Sequence, residues 1–254
     1  MKGGNKVVLD AFFKENPKVA LAFSGGVDSA YLLYAAIACG AEVSAYYVKT
    51  PFQPQFEYED AMKLAKQLGA KMTVLEIDVL SDPEIAENPK NRCYYCKKKL
   101  FSAICKQAEV DGFSVIIDGT NASDDPTDRP GMQALTELQV RSPLRELGLT
   151  KKEIRKLSKE AGLFTHDKPA YACLATRIPA NTPITKQALA VTERSEDFLR
   201  KLGFSDFRVR FMEKNAKIQL REEDFPLFFK HRETIVKELK KDDKAVLLDL
   251  EARP

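Results

Sequence analysis

No stretch of this 254-residue chain comes near the roughly 18 consecutive apolar residues of a membrane-crossing helix. Histidine is scarce: the chain has two, His166 and His231, and both are read as structural or solvent-facing. Five cysteines are an odd number, and a disulfide framework is not expected from them. Residues Met1-Lys2-Gly3-Gly4-Asn5-Lys6 lead into charged sequence rather than an apolar signal core, so a reduced, cytoplasmic protein is expected. A net charge of +3 is small, and the basic residues are interspersed with acids, so no nucleic-acid stripe stands out. There is no Walker A ending of Gly-Lys-Ser/Thr and no Gly-x-Gly-x-x-Gly. Internal repeats and low-complexity segments are missing too.

What the chain does have is organised around Ser24-Gly25-Gly26-Val27-Asp28-Ser29. The apolar run Val19–Phe23 before it reads as a buried parallel strand. The run Ala30–Ala38 after it is apolar on nearly every face and reads as a buried helix. A tight turn between them presents backbone N–H groups and the positive end of a helix, which is an anion site. Two glycines let the backbone approach a phosphate. Ser24 and Ser29 add hydroxyl donors, and Asp28 can hold Mg²⁺. An ordinary glycine-rich strand–helix turn is the competing reading.

Strands are predicted over 18–23, 42–48, 71–78 and 113–118. Helices are predicted over 6–15, 28–39, 54–68, 93–110 and 151–161, the last with Thr150 and Glu153 as a capping box. Residues 123–131 read as an Asp/Pro/Gly-rich loop. This alternation predicts an α/β fold, a doubly wound parallel sheet whose ligands sit at the carboxyl ends of its strands. The domain reading is 1–164 for that sheet, 165–182 for a functional linker, and 183–254 for a small α+β domain. The small domain is predicted as helix 185–202, strands 207–211 and 216–220, a helix over about 224–240, and strand 245–250.

Cys93-Tyr94-Tyr95-Cys96 is a lone Cys-x-x-Cys, open to zinc, a redox disulfide, an iron–sulfur cluster or coincidence. Cys173 is the third candidate. Three thiolates leave a zinc shell incomplete. They can hold a cubane cluster by three irons and leave the fourth for a sulfide. Three unrelated buried cysteines would look the same. Cys39 and Cys105 sit in apolar helical patterns and read as core. Arg208 and Arg210 share one strand face and suit a phosphate or carboxylate. Their alternative is a solvated edge face.

Ser24–Ser29 resembles the pyrophosphate loop of the PP-loop ATP pyrophosphatases, whose fold is of the adenine nucleotide alpha hydrolase type. Together with Asp118-Gly119-Thr120-Asn121, Arg141-Ser142-Pro143-Leu144 and Cys173-Leu174-Ala175-Thr176-Arg177-Ile178-Pro179, the chain resembles the LarE family over nearly its whole length. The resemblance implies an ATP-dependent sulfur transferase. Such an enzyme adenylates a carboxylate of pyridinium-3,5-biscarboxylic acid mononucleotide, and a sulfur nucleophile then displaces AMP in nickel-pincer nucleotide assembly. It implies ATP contacts at Ser24, Gly25, Gly26, Val27, Asp28, Ser29, Gly119 and Thr120, and Mg²⁺ at Asp28 and Glu196. Arg208 and Arg210 would bind substrate. Cys173 would be catalytic, with Asp28 and with Arg177, a cation that lowers the thiol pKa and meets an anionic substrate. Cys93, Cys96 and Cys173 match the branch that carries a 4Fe–4S cluster, against a branch in which one cysteine gives up its own sulfur. The partner is a small nucleotide substrate, and the resemblance implies a homo-oligomer, with a hexamer as its candidate size. The sulfide donor has no sequence signal. The rival family is a PP-loop tRNA thiolase; its RNA-binding modules are not visible. An amide-forming PP-loop enzyme would not need the three cysteines.

Overall fold

A computed structural model describes residues 7–124, 130–213, 215–242 and 244–253. Most of the loop expected over 123–131 lies outside them. In chain order the elements are α1 (Val7–Glu15), β1 (Lys18–Ala22), α2 (Val27–Ala38), β2 (Glu42–Lys49), α3 (Gln55–Leu68), β3 (Lys71–Glu76), α4 (Pro83–Ala86), α5 (Arg92–Val110) and β4 (Val115–Asp118). Then come α6 (Pro130–Glu137), α7 (Pro143–Glu146), α8 (Lys151–Glu160), α9 (Lys186–Lys201), β5 (Arg208–Met212), β6 (Asn215–Gln219), α10 (Phe225–Leu239) and β7 (Val246–Leu248). Among the described residues, no helix is long and apolar enough to cross a membrane.

The chain divides into two compact units. The first comprises residues 1–79 and 91–168. Its sheet is wholly parallel, in the order β3-β2-β1-β4. Successive strand residues point to opposite faces, and here both faces are apolar. Val19, Leu21, Ala45 and Tyr47 enter one core with Leu9, Phe13, Leu32, Leu33 and Leu64. Ala20, Tyr46 and Val48 enter another with Ile104, Ala108 and Leu135. This is the doubly wound α/β sheet expected from the sequence. The capping box of α8 is present, Thr150 accepting from Glu153 N–H and Glu153 from Thr150 N–H.

The second unit comprises residues 80–90 and 169–254. Its three strands run in the order β5-β6-β7, the first pair antiparallel and the second parallel. Val209, Ala216 and Ile218 pack with Leu199 of α9 and with Phe228, Ile235 and Leu239 of α10. Residues 80–90 are fastened into this unit by Asn88, which is buried in the left-handed conformation, φ 56°. Its amide donates to Pro179 O at 2.8 Å and Thr182 O at 3.2 Å. Asn181 N–H donates to Asn88 O, and Ile184 N–H to Ala86 O.

Candidate functional site

In the first unit the chain leaves β1 for β2 and β3 on one side and returns to β4 on the other. That reversal opens a crevice at the carboxyl ends of β1 and β4, where open α/β sheets bind ligands. Residues Ser24–Ser29 and Gly119–Asn121 follow those two strand ends, which lie side by side with Ala22 opposite Asp118. Gly25 holds φ 73°, and a Cβ there would come within 2.9 Å of Ala61 Cβ on α3. The two loop hydroxyls are tied together, Ser24 Oγ to Ser29 Oγ at 3.1 Å, and Ser29 Oγ donates to Gly26 O at 3.3 Å. Gly26 is the N-cap of α2 and offers no side-chain oxygen, so the helix's first N–H groups have no side-chain acceptor from the cap.

Gly119 serves close approach. A Cβ on it would sit 2.8 Å from Ser29 N and 3.2 Å from Ser29 Cα, both backbone. Gly119→Ala is therefore expected to displace the loop and to cost about 1–3 kcal/mol in urea unfolding. Wild-type stability in that variant would refute the close fit. Asp118, buried, supports this edge: it accepts from Thr120 Oγ1 at 2.5 Å and from Ser142 Oγ at 2.6 Å. The Thr120 hydroxyl is thus engaged in shaping the edge of the crevice.

Asp28 lies in the first turn of α2. Its Oδ2 accepts from Lys151 Nζ at 2.5 Å, while Oδ1 is buried and accepts no hydrogen bond. Burial raises its pKa, against the opposing pull of Lys151. A buried carboxylate oxygen with no donor suits Mg²⁺, a hard cation that takes oxygen ligands. Lys151 and Arg155 stand four residues apart on one face of α8. The positive charge of Arg155 also bears on Asp28. Neither cation was singled out from the sequence. The signal was there: Lys151 and Lys152 occupy a helix's first turn, where the macrodipole disfavours cations unless an anion faces them.

Cys93 sits in the first turn of α5 and Cys96 in the next, three residues apart and so on neighbouring positions of one face. Cys93 is exposed and Cys96 half-buried. Arg92 is buried, its guanidinium over the Phe52 ring and donating to Cys93 Sγ at 3.4 Å. Two thiols one turn apart are a donor pair for a soft metal centre. Among the described residues of either unit, no three His, Cys, Asp or Glu side chains gather to hold a metal ion. Lys98, exposed on the same helix, donates to Tyr94 OH and to Glu137 at the end of α6. Cys39 and Cys105 pack against the two cores of the first unit, and burial pushes the Cys105 thiol up. His166 Nδ1 lies 3.0 Å from Leu163 O.

Cys173 belongs to the second unit and is the N-cap of a 3-10 turn, Leu174–Arg177. Its carbonyl accepts from Thr176 N–H and from Thr176 Oγ1. The guanidinium of Arg177 is 1% exposed. It donates to Glu196 Oε1 at 2.7 Å and Oε2 at 3.1 Å, to Ala172 O at 3.0 Å and to Thr176 Oγ1 at 2.8 Å. Burial pulls the Arg177 pKa down, but Glu196 outweighs it, and Tyr171 and Cys173 add to the net rise. Glu196, also 1% exposed, accepts in addition from Tyr171 OH at 2.5 Å and Val209 N–H at 3.0 Å. Its carboxylate is filled by protein donors.

Arg208 and Arg210 share one face of β5, as the alternation implies. Arg208 is buried and donates to Phe207 O and Ala170 O, each at 2.6 Å. Arg210 donates to Gln219 Oε1 at 2.5 Å and Thr176 O at 2.9 Å. Burial, then the charges of Arg177 and Arg253, push Arg208 down to about 10 and lower Arg210 as well. Acidic groups oppose this: Glu196 and Asp206 act on Arg208, which lies 3.6 Å from Asp206, and Glu196 and Asp249 act on Arg210.

The family model described as queuosine biosynthesis protein QueC matches residues 18–88. Pyridinium-3,5-bisthiocarboxylic acid mononucleotide synthase of Lactiplantibacillus plantarum is 35% identical over 219 residues, 85% of this chain and 79% of that protein. An uncharacterized protein of Synechocystis is 37% identical over 87% of this chain and 82% of its own length. The tRNA-specific 2-thiouridylase MnmA of Thermotoga petrophila is 26% identical over 59% of this chain and 54% of its own.

Proposed function

Since the chain belongs to the LarE-like family of PP-loop ATP pyrophosphatases and is a sulfur transferase of that kind, we propose that its substrate is pyridinium-3,5-biscarboxylic acid mononucleotide. In this reading the enzyme transfers AMP from ATP to a substrate carboxylate, releases pyrophosphate, and replaces the AMP by sulfur. The product is the thiocarboxylate used for the nickel-pincer nucleotide. The observation that carries the reading is likeness to the synthase over most of the chain. A cytoplasmic, homo-oligomeric enzyme is part of the same proposal.

A carboxylate is a poor electrophile, and adenylation gives it a good leaving group. Residues Ser24–Ser29, bordered by Gly119 and Thr120, would cradle the phosphates with backbone N–H groups. Asp28 would hold Mg²⁺, which neutralises charge on the departing pyrophosphate. Lys151 and Arg155 add positive charge from α8. Glu196, saturated by Arg177, Tyr171 and Val209, fits the task of orienting Arg177 better than that of a second Mg²⁺ ligand. Arg208 and Arg210, on one strand face, would bind the substrate's phosphate and carboxylates.

Cys93, Cys96 and Cys173 would hold a 4Fe–4S cluster. When bound, such a cluster presents a sulfide for delivery. The test is anaerobic purification with iron and sulfide analysis, about four of each per chain being expected. Cys93→Ala, Cys96→Ala and Cys173→Ala should each abolish repeated turnover. An iron-free wild-type chain that turns over once and loses one sulfur from Cys173 would overturn the cluster and leave a sacrificial cysteine. The thiouridylase likeness keeps a second substrate in view: AMP release that requires tRNA rather than the pyridinium acid would overturn the substrate.

A further inference from the structure

Tyr171 lies two residues before Cys173 and had no role in the sequence reading. Its ring is in contact with two guanidinium groups of the second unit. Arg177 is 4.7 Å and Arg208 5.3 Å from the ring centroid. Its hydroxyl donates to Glu196 Oε2 at 2.5 Å. The same two arginines hold the carbonyls on either side of it, Arg208 at Ala170 O and Arg177 at Ala172 O. One short stretch of backbone is therefore gripped at two carbonyls, one ring and one hydroxyl. The next residue gripped beyond Cys173 is Thr176, through Arg210.

Like charges repel: after burial, the charge of Arg177 is the next cause that lowers the Arg208 pKa. An aromatic ring presents its negative face to a cation, at roughly 0.5–2 kcal/mol per contact. A ring in contact with two guanidinium groups attracts both. Any aliphatic side chain of similar volume would fill the space without doing so.

We propose that Tyr171 is the positioning residue for Cys173: its ring, held by Arg177 and Arg208, fixes the backbone that presents the thiol. The role rests on Cys173 being the sulfur-handling residue of the proposed reaction. Tyr171 itself touches no reacting atom.

The experiment compares wild type, Tyr171→Phe and Tyr171→Leu. The full chain is treated anaerobically with a chelator, and iodoacetamide labelling of Cys173 is followed peptide by peptide, with Cys105 as internal reference. First-turnover pyrophosphate release and thiocarboxylate formation are measured separately on untreated protein. Tyr171→Leu should label Cys173 at least about fivefold faster, and its kcat for thiocarboxylate should fall at least about tenfold with KM unchanged. First-turnover pyrophosphate release should stay within about twofold, because adenylation precedes the sulfur step. Tyr171→Phe keeps the ring and should remain within about threefold of wild type in every measurement. Wild-type labelling and turnover in Tyr171→Leu would overturn the proposal, as would a parallel fall in first-turnover pyrophosphate release. Should the leucine variant not fold, a loss of about tenfold or more in Tyr171→Phe would still overturn it, by showing that the ring is not the grip. A wild-type chain that makes no thiocarboxylate would instead sink the proposed substrate and leave the labelling comparison standing.

Discussion

Asp28→Ala is expected to stop AMP release from ATP while leaving the iron and sulfide content of the chain unchanged. Taking away a group that neutralises transition-state charge costs on the order of 10²–10³ in rate, and here the loss extends to the Mg²⁺ that the carboxylate would bring. The fold should survive, since the Lys151 partner left behind is half-exposed and can turn to water. Acid should inhibit the wild-type enzyme early. In the metal-free chain burial raises the Asp28 pKa, so as pH falls the carboxylate protonates before an ordinary aspartate would, and acid competes with Mg²⁺ for it. The stability effect has the opposite sign. A raised carboxyl pKa favours the folded chain below the ordinary aspartate value, and that contribution is lost as pH rises through the folded one. Mg²⁺-ATP should offset that loss, read as a rise in Tm. AMP formation within tenfold of wild type would remove Asp28 from the chemistry. Loss of iron from the variant would show that the nucleotide and sulfur sites depend on each other.

Glu196→Ala should be the most destabilising single change in the second unit, at about 3–5 kcal/mol. The buried carboxylate accepts two bonds from Arg177, one from Tyr171 and one from Val209 N–H. Its removal leaves the Arg177 guanidinium uncompensated, 1% exposed, together with a buried hydroxyl and a buried backbone donor. Against a typical stability of roughly 5–15 kcal/mol, that is a large share. Urea unfolding followed by circular dichroism measures it. Glu196→Gln keeps two acceptor sites and should lose less. A loss below about 1 kcal/mol for the alanine variant would mean that Arg177 finds another counter-charge.

The two-faced sheet was legible because its signals are local. Val19-Ala20-Leu21 and Ala45-Tyr46-Tyr47-Val48 are apolar on both alternations, and helices with Gly69 and Gly162 as stops separate the strands. The loop at Ser24–Ser29 was legible for the same reason. The four-residue helices α4 and α7 were not, since one turn has no periodicity to read. The resemblance implies a metal ligand at Glu196, not a buried partner of Arg177. Spaced with Leu189, Thr192 and Leu199, it lies in the buried stripe of α9, and a helical wheel would have flagged it. That Arg208 and Arg210 share a face followed from period two. That they hold Ala170 O and Thr176 O did not, because a backbone carbonyl has no residue identity. The transfer of residues 80–90 to the second unit has no local signal either. It depends on Asn88 finding carbonyls some 90 positions later.

That separation sets an order of events during synthesis. Asn88 leaves the ribosome long before Ile178, Pro179 and Thr182 exist. At roughly 5–20 residues per second, it waits seconds for the carbonyls that fasten it. The first unit's strands β1, β2 and β3 are already complete by then, and β4 and α8 follow while the segment is still unfastened. Cys93 and Cys96 also emerge well ahead of Cys173. A nascent chain therefore carries the two thiols of α5 before Cys173 exists, and the second unit's sheet closes only when β7 has been made.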